Sequence, residues 1–188
     1  MIPDVRVLGI DPGSRTTGWG VVERVGGRLR AVGAGVVRSR PDDPMPQRLF
    51  TIFAGLSAVV AAHEPTEAAM EEIFSHRSAA SALVLGQARG VALLSVAGMP
   101  LHTYNASTIK KTVTGSGKAE KEQVARMVRT LLGLEGEAPA DQTDALAIAL
   151  THLVHQRSGP ALPAAPKVRR MSSRDQWTAI ALKAGVKP

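Results

Sequence analysis

Apolar residues recur along this chain with two periods, and the switches between them mark its elements. Residues 5–10 form a nearly unbroken apolar run, as expected of a strand buried on both faces. Asp11-Pro12-Gly13-Ser14 is a turn, because proline breaks pairing and glycine frees the backbone. Residues 18–25 and 29–38 read as two further strands, with Gly26-Gly27 as the hairpin signal between them. An antiparallel meander follows. Over residues 45–63 the spacing becomes helical, with Leu49, Ile52, Phe53, Leu56, Val59 and Val60 on one face, and Pro65 ends the element. Residues 67–73 predict a fourth strand. Residues 78–97 predict a long helix, stopped by Gly98-Met99-Pro100, and 101–104 a short fifth strand. Asn105 is placed to cap a helix over 106–113, and the loop through Gly117 and Lys118 leads into another at about 120–132. The last helix covers 140–157. The order βββαβαβααα predicts an α/β layered domain with a mixed sheet. The apolar run of the first strand makes it the expected centre of that sheet. No internal repeat is visible.

Composition narrows the picture. The chain has 188 residues, 44% of them hydrophobic, enough for one domain with an ordinary core. Absence of cysteine excludes disulfides, thiolate metal sites and thiol nucleophiles. The start shows no basic segment followed by an apolar one, so no secretory signal is expected. Gly, Gln, Arg or Ser interrupt the apolar stretches, so no membrane span is expected and a cytoplasmic location follows. The net charge of +7 suits a polyanionic partner. It is unevenly placed: residues 158–188 carry six Lys or Arg against Asp175 alone, a net +5, which leaves +2 for residues 1–157. The segment after Ser158 (GPALPAAP) reads as a linker. The chain thus divides into a domain over 1–157 and a basic, Pro-containing, flexible tail over 158–188, with a short helix expected near Trp177. At 3% aromatic content, a single-strand stacking platform is a poor fit.

Four acids stand where a metal-dependent nuclease needs them. Asp11 ends the first strand, where an open sheet presents ligands. Glu71 ends the fourth. Alternation along a strand sends Glu71 and Glu72 to opposite faces, so only one joins a site, and Glu72 is the expected edge charge. Asp141 and Asp144, at i and i+3, project from one face of the first turn of the last helix, where the helix dipole favours negative charge. Each feature alone has a plainer reading: a turn aspartate, an exposed glutamate, acids that stabilise a helix start. Together they match the layout of ribonuclease H-like nucleases. Converging carboxylates repel by roughly 4 kcal/mol per close pair at an effective dielectric near 20. Hard divalent cations with oxygen ligands relieve that repulsion, which points to metal-assisted phosphodiester chemistry.

The strings LGIDPGSRTTGWGVV, MEEIF, SALVLGQARGVALL, AEKEQVARMVRTLLGL and DQTDALAIALTH resemble the RuvC family of bacterial Holliday-junction resolvases, over about residues 5–157. The resemblance implies a ribonuclease H-like three-layer fold and a homodimer that nicks two strands of a four-way junction symmetrically, leaving 5′-phosphate and 3′-hydroxyl ends. It implies Asp11, Glu71, Asp141 and Asp144 as catalytic acids and metal ligands. The family varies at the third of these positions, sometimes using His; Asp here keeps an all-oxygen site. Two Mg²⁺ or Mn²⁺ ions would be held, with Asp11 the bridging ligand. Lys110 and Lys121 match basic family positions, and Lys111, Lys118 and Arg77 would add phosphate contacts. Phe74 corresponds to a wedge that unstacks bases at the junction point. A partnership with the RuvA–RuvB branch-migration machinery is implied by family alone.

Other features read more plainly. His152 and His155 lie one helical turn apart but show no third partner in sequence, so surface roles are expected for them and for His76. The small residues of helix 78–97 (Ala79, Ala82, Gly86, Ala88, Gly90, Ala92) suit either a self-complementary dimer face or tight packing on the sheet. Gly115-Ser116-Gly117-Lys118 lacks the first glycine of a Walker motif. Two other functions stay open on the residues alone. An Asp-x-Gly turn also occurs in actin-like ATPases and sugar kinases, although 188 residues hold only one of the two domains these need. A non-catalytic junction-binding module is the other, although such a protein gains nothing from acids beside phosphate.

Overall fold

The computed structural model describes residues 5–72, 78–136 and 138–156. Phe74, Arg77, His76 and the basic tail lie outside the described residues. Five strands and five helices follow in the predicted order: β1 Val5–Asp11, β2 Thr16–Val25, β3 Arg28–Arg38, α1 Met45–His63, β4 Glu67–Glu71, α2 Ala79–Ser95, β5 Leu101–Tyr104, α3 Ala106–Thr114, α4 Lys121–Leu132 and α5 Ala140–Gln156. The helix expected from residue 78 begins one residue later, because Ser78 is its N-cap and accepts from the Ser81 backbone N–H at 3.2 Å.

The strands form one sheet in the order β3-β2-β1-β4-β5. The first three are antiparallel, while β4 and β5 run parallel to β1 and to each other. β1 is therefore the central strand, as its apolar run requires. Gly26 and Gly27 both take positive φ (57° and 81°), the two left-handed positions of a tight hairpin between β2 and β3.

Alternation along β1 and β4 divides the core into two layers. Leu8, Ile10, Ala68 and Met70 face α1 and α2, packing with Ile52, Leu56, Ala88 and Ala92. Val7 and Ala69 face the opposite side, against α3, α4 and α5. α5 is buried along almost its whole length, from Thr143 through Leu153, with only Asp144 interrupting the run. It reaches the sheet through glycines. A Cβ at Gly9 would stand 2.7 Å from the Ala149 nitrogen, and one at Gly18 only 2.5 Å from the Asp141 carbonyl carbon. Side chains there would lift the helix off β1 and β2.

α1 departs from expectation: by length and composition it could cross a membrane, with a mean hydropathy of 1.3. In the structure its Ile52, Leu56 and Val59 are core residues against the sheet, while Phe50 stays exposed.

Candidate active site

Asp11 is the last residue of β1 and pairs with Gly18 of β2. The missing side chain at Gly18 lets the Asp141 backbone lie directly over that pair. Asp11 shares the parity of Val7, and Glu71 that of Ala69, so both strand-end acids belong to the α5 side of the sheet. α5 starts there, and its first turn supplies Asp141 and Asp144. The four predicted acids are thus brought together on one face. Glu72 is turned to another partner: its Oε1 accepts from the Thr103 hydroxyl at 3.0 Å.

The electrostatics record this convergence. Burial, followed by the charges of Asp144, Asp141 and Glu71, pushes the Asp11 carboxyl from 3.8 up to about 7, with Lys121 opposing. Burial and then Asp144 raise Glu71, while Lys121, Lys110 and Arg89 pull it down. Lys121, on the first residue of α4, places Nζ 3.5 Å from Asp144 Oδ2 and is itself raised chiefly by Asp144. The Lys121 side chain is largely exposed, so solvent screens this pair and it stabilises little. Nearby lysines therefore offset only part of the negative charge. An all-carboxylate donor set with Asp11 held that far from its ordinary range fits a hard divalent cation. Lys111, at the end of α3, and Lys118, in the loop before α4, are exposed on the same α3–α4 segment as Lys110 and Lys121.

Sequence reasoning missed the groups that hold the acids in place. Arg48 of α1 donates from Nη2 to the Ser14 carbonyl at 2.8 Å and to its hydroxyl at 3.0 Å. The Thr17 hydroxyl donates to the Gly13 carbonyl at 2.8 Å. Together they fix the turn that follows Asp11. Arg89 of α2 donates to the backbone carbonyl of Glu71 at 2.6 Å, linking that helix to the site. Arg89 lies within the GQARG string, the one signal that pointed to it; nothing in sequence points to Arg48.

The histidine expectation is corrected. His152 is buried (2% exposed), and it does have further partners. Its Nε2 lies 2.6 Å from Glu67 Oε2 and its Nδ1 2.6 Å from the Tyr104 hydroxyl, while the His102 ring stacks on it with centroids 4.2 Å apart. The parallel strands β4 and β5 bring Glu67 and His102 to α5, which the i, i+3 spacing of His152 and His155 could not reveal.

A mixed five-stranded sheet that gathers carboxylates from β1, β4 and the last helix defines a nuclease of the ribonuclease H-like class. A family model described as crossover junction endodeoxyribonuclease RuvC matches residues 7–152, and the chain belongs to that family. RuvC of Oleidesulfovibrio alaskensis is 51% identical over 155 residues, covering 81% of this chain and 93% of that protein. RuvC of Klebsiella pneumoniae is 49% identical, covering 78% and 85%. The solved structure of T. thermophilus RuvC in complex with Holliday junction substrate superposes with a TM-score of 0.77 at 37% identity, covering 82% of this chain and 96% of that one. The yeast mitochondrial resolvase Ydc2 shares the fold at a TM-score of 0.57 and 14% identity.

Proposed function

We propose that this chain is a Holliday-junction resolvase of recombination and DNA repair that cuts two opposed strands of a four-way junction as a homodimer in the cytoplasm. The observation that carries the reading is the convergence of Asp11, Glu71, Asp141 and Asp144 on one face of the sheet, in a chain of this family. These four carboxylates would hold two divalent cations, Mg²⁺ or Mn²⁺. When bound, such ions favour deprotonation of the attacking water and neutralise charge on the phosphate. The water forms the new bond to phosphorus, the P–O3′ bond breaks, and the 3′-oxygen leaves as a hydroxyl opposite a 5′-phosphate.

The protein's own part is positioning and charge. Asp11 sits rigidly at the end of the central strand, with its following turn clamped by Arg48 and Thr17. Arg89 fixes the Glu71 backbone. Lys121 and Lys110 flank the acids and would neutralise non-bridging phosphate oxygens. Lys111 and Lys118 would hold the DNA backbone further out. Phe74 and Arg77, just beyond β4, are assigned to base unstacking and phosphate contact. Residues 1–157 form the nuclease domain, and 158–188 are a separate basic tail. Association with RuvA–RuvB is assigned by family.

For the homodimer we assign the outer face of α2. Leu83 is 65% exposed, and a Cβ at Gly86 or Gly90 would meet nothing, so the face is apolar and open to close approach by a second copy. Leu83→Glu is expected to turn a dimer into a monomer in sedimentation equilibrium and to abolish paired nicking. A dimer unchanged by that substitution would place the interface elsewhere.

A synthetic four-way junction labelled on each strand, with Mg²⁺ or Mn²⁺, tests the activity. Wild type is expected to give paired, symmetric nicks. Asp11→Asn should bind the junction as tightly and cut it about 10²- to 10³-fold more slowly, the scale of losing one key charge-stabilising group. Binding by the wild type without cleavage in either metal would instead favour a non-catalytic junction binder.

A further inference from the structure

The cluster around His152 stands apart from the four acids. Glu67 precedes Glu71 by four residues of extended strand, about 13 Å. His152 follows Asp144 by eight helical residues, about 12 Å. The cluster therefore lies toward the other end of the same sheet face. One carboxylate oxygen of Glu67 and one ring nitrogen each of His102 and His152 all fall within 4.8 Å of one another.

We propose that Glu67, His102 and His152 form a second metal site, selective for a borderline transition-metal cation of the Zn²⁺ type. Two imidazoles and one carboxylate are a donor set that such ions favour and that Mg²⁺ does not. The cluster carries an orphan that hydrogen bonding leaves unexplained. His102 Nε2 is a buried atom with no hydrogen-bond partner among the described residues, and it lies 3.4 Å from Glu67 Oε2. A buried nitrogen of this kind normally finds a partner, and a cation supplies one.

The outer contacts match what metal ligands require. Gln156 Nε2 donates to both Glu67 oxygens at 2.7 Å and fixes the carboxylate. The Tyr104 hydroxyl lies 2.6 Å from His152 Nδ1 and fixes the ring. Burial lowers the pKa of His152 despite the hydrogen bond to Glu67. Without metal, Nε2 must carry the proton it donates to the Glu67 carboxylate, and Nδ1 accepts from Tyr104. On binding, the Nε2 proton is released and Nδ1 takes one up, with no net change. Tyr104 then turns from donor to acceptor.

Metal-free full-length protein should be titrated with ZnCl₂ by calorimetry, and with Co²⁺ by its visible absorption. One Zn²⁺ equivalent is expected to bind to wild type and to Asp11→Asn alike. It should be lost, or weakened at least 10-fold, in His102→Phe, which keeps the ring stack but removes the nitrogens. Glu67→Gln provides a second, smaller change if the first variant misfolds, and junction nicking in Mg²⁺ reports folding of both. Zinc binding that survives His102→Phe and Glu67→Gln but disappears in Asp11→Asn would place the ion at the acids and overturn the proposal. So would the absence of any stoichiometric binding to wild type at micromolar zinc.

Discussion

Asp11 carries a conflict within a single residue. As the metal ligand proposed above, the carboxyl is most useful ionised, yet burial and three neighbouring acids push it up to about 7. An acid whose folded pKa exceeds its unfolded value holds its proton more tightly in the folded chain. Stability of the metal-free protein therefore falls as pH rises from about 4 to about 7 and levels off above. A shift of this size corresponds to an effect of the order of 4 kcal/mol. Thermal melts in EDTA are expected to give similar Tm values for wild type and Asp11→Asn near pH 4, and a higher Tm for the variant above pH 7. Saturating Mg²⁺ should raise wild type and not the variant, since a ligand that binds only the ionised native state stabilises it. Parallel curves in EDTA would mean that Asp11 does not carry the strain. Much of this was legible at residue level. A strand-end Asp, a strand-end Glu and a D-x-x-D helix start each leave a local trace. Arg48, Arg89 and the Glu67–His152 pair leave almost none, because each acts on a distant segment; the last pair is separated by 85 positions.

At the level of elements, the site depends on how closely α5 lies on β1 and β2. The helix was legible from its apolar run and the strands from theirs. Their separation was not, because it is set by which residues lack a side chain at the crossing. Gly18 and Gly9 sit under Asp141 and under the Ala145 and Ala149 turns. Gly18→Ala would push a methyl against the Asp141 backbone, which cannot rotate away as a side chain can. Overpacking of this kind costs about 1–3 kcal/mol, occasionally more. The helix start must also move outward, taking Asp141 and Asp144 with it, and a misplacement near 1 Å can cost about 10²-fold in rate. The expected outcome is a folded protein with lowered Tm and with junction cleavage reduced about 100-fold at unchanged junction affinity. Gly98→Ala is the matched control: a Cβ there meets nothing, so both Tm and cleavage should stay at wild-type values. Equal cleavage by the two variants would show that α5 tolerates the added methyl without moving the acids. α2 shows the same limit from the other side. Its small residues suggested close packing, but only the three-dimensional arrangement separates Ala88 and Ala92, buried toward the sheet, from Gly86 and Gly90, which face outward.

Across the whole molecule, charge is unevenly placed along the chain. Residues 1–157 carry a net of only +2 and include the acidic cluster proposed to receive a phosphate, whereas residues 158–188 carry +5. In the reading proposed above, a basic segment of this kind would attract DNA over a distance and leave the chemistry to the acids. That attraction is screened over about 10 Å at 0.1 M salt, so its contribution should be largest at low ionic strength. A chain ending at residue 158 is expected to fold with an unchanged Tm and to cut saturating junction at the full rate. Its junction Kd should rise at 50 mM salt and converge on the full-length value as salt increases. The slope of log K against log salt should fall by about 0.9 for each phosphate contact the tail makes. Identical slopes would mean that the tail touches no phosphate. A drop in Tm or in the saturating rate would mean that residues beyond 158 complete the folded domain, and the division of labour between body and tail would then have to be redrawn.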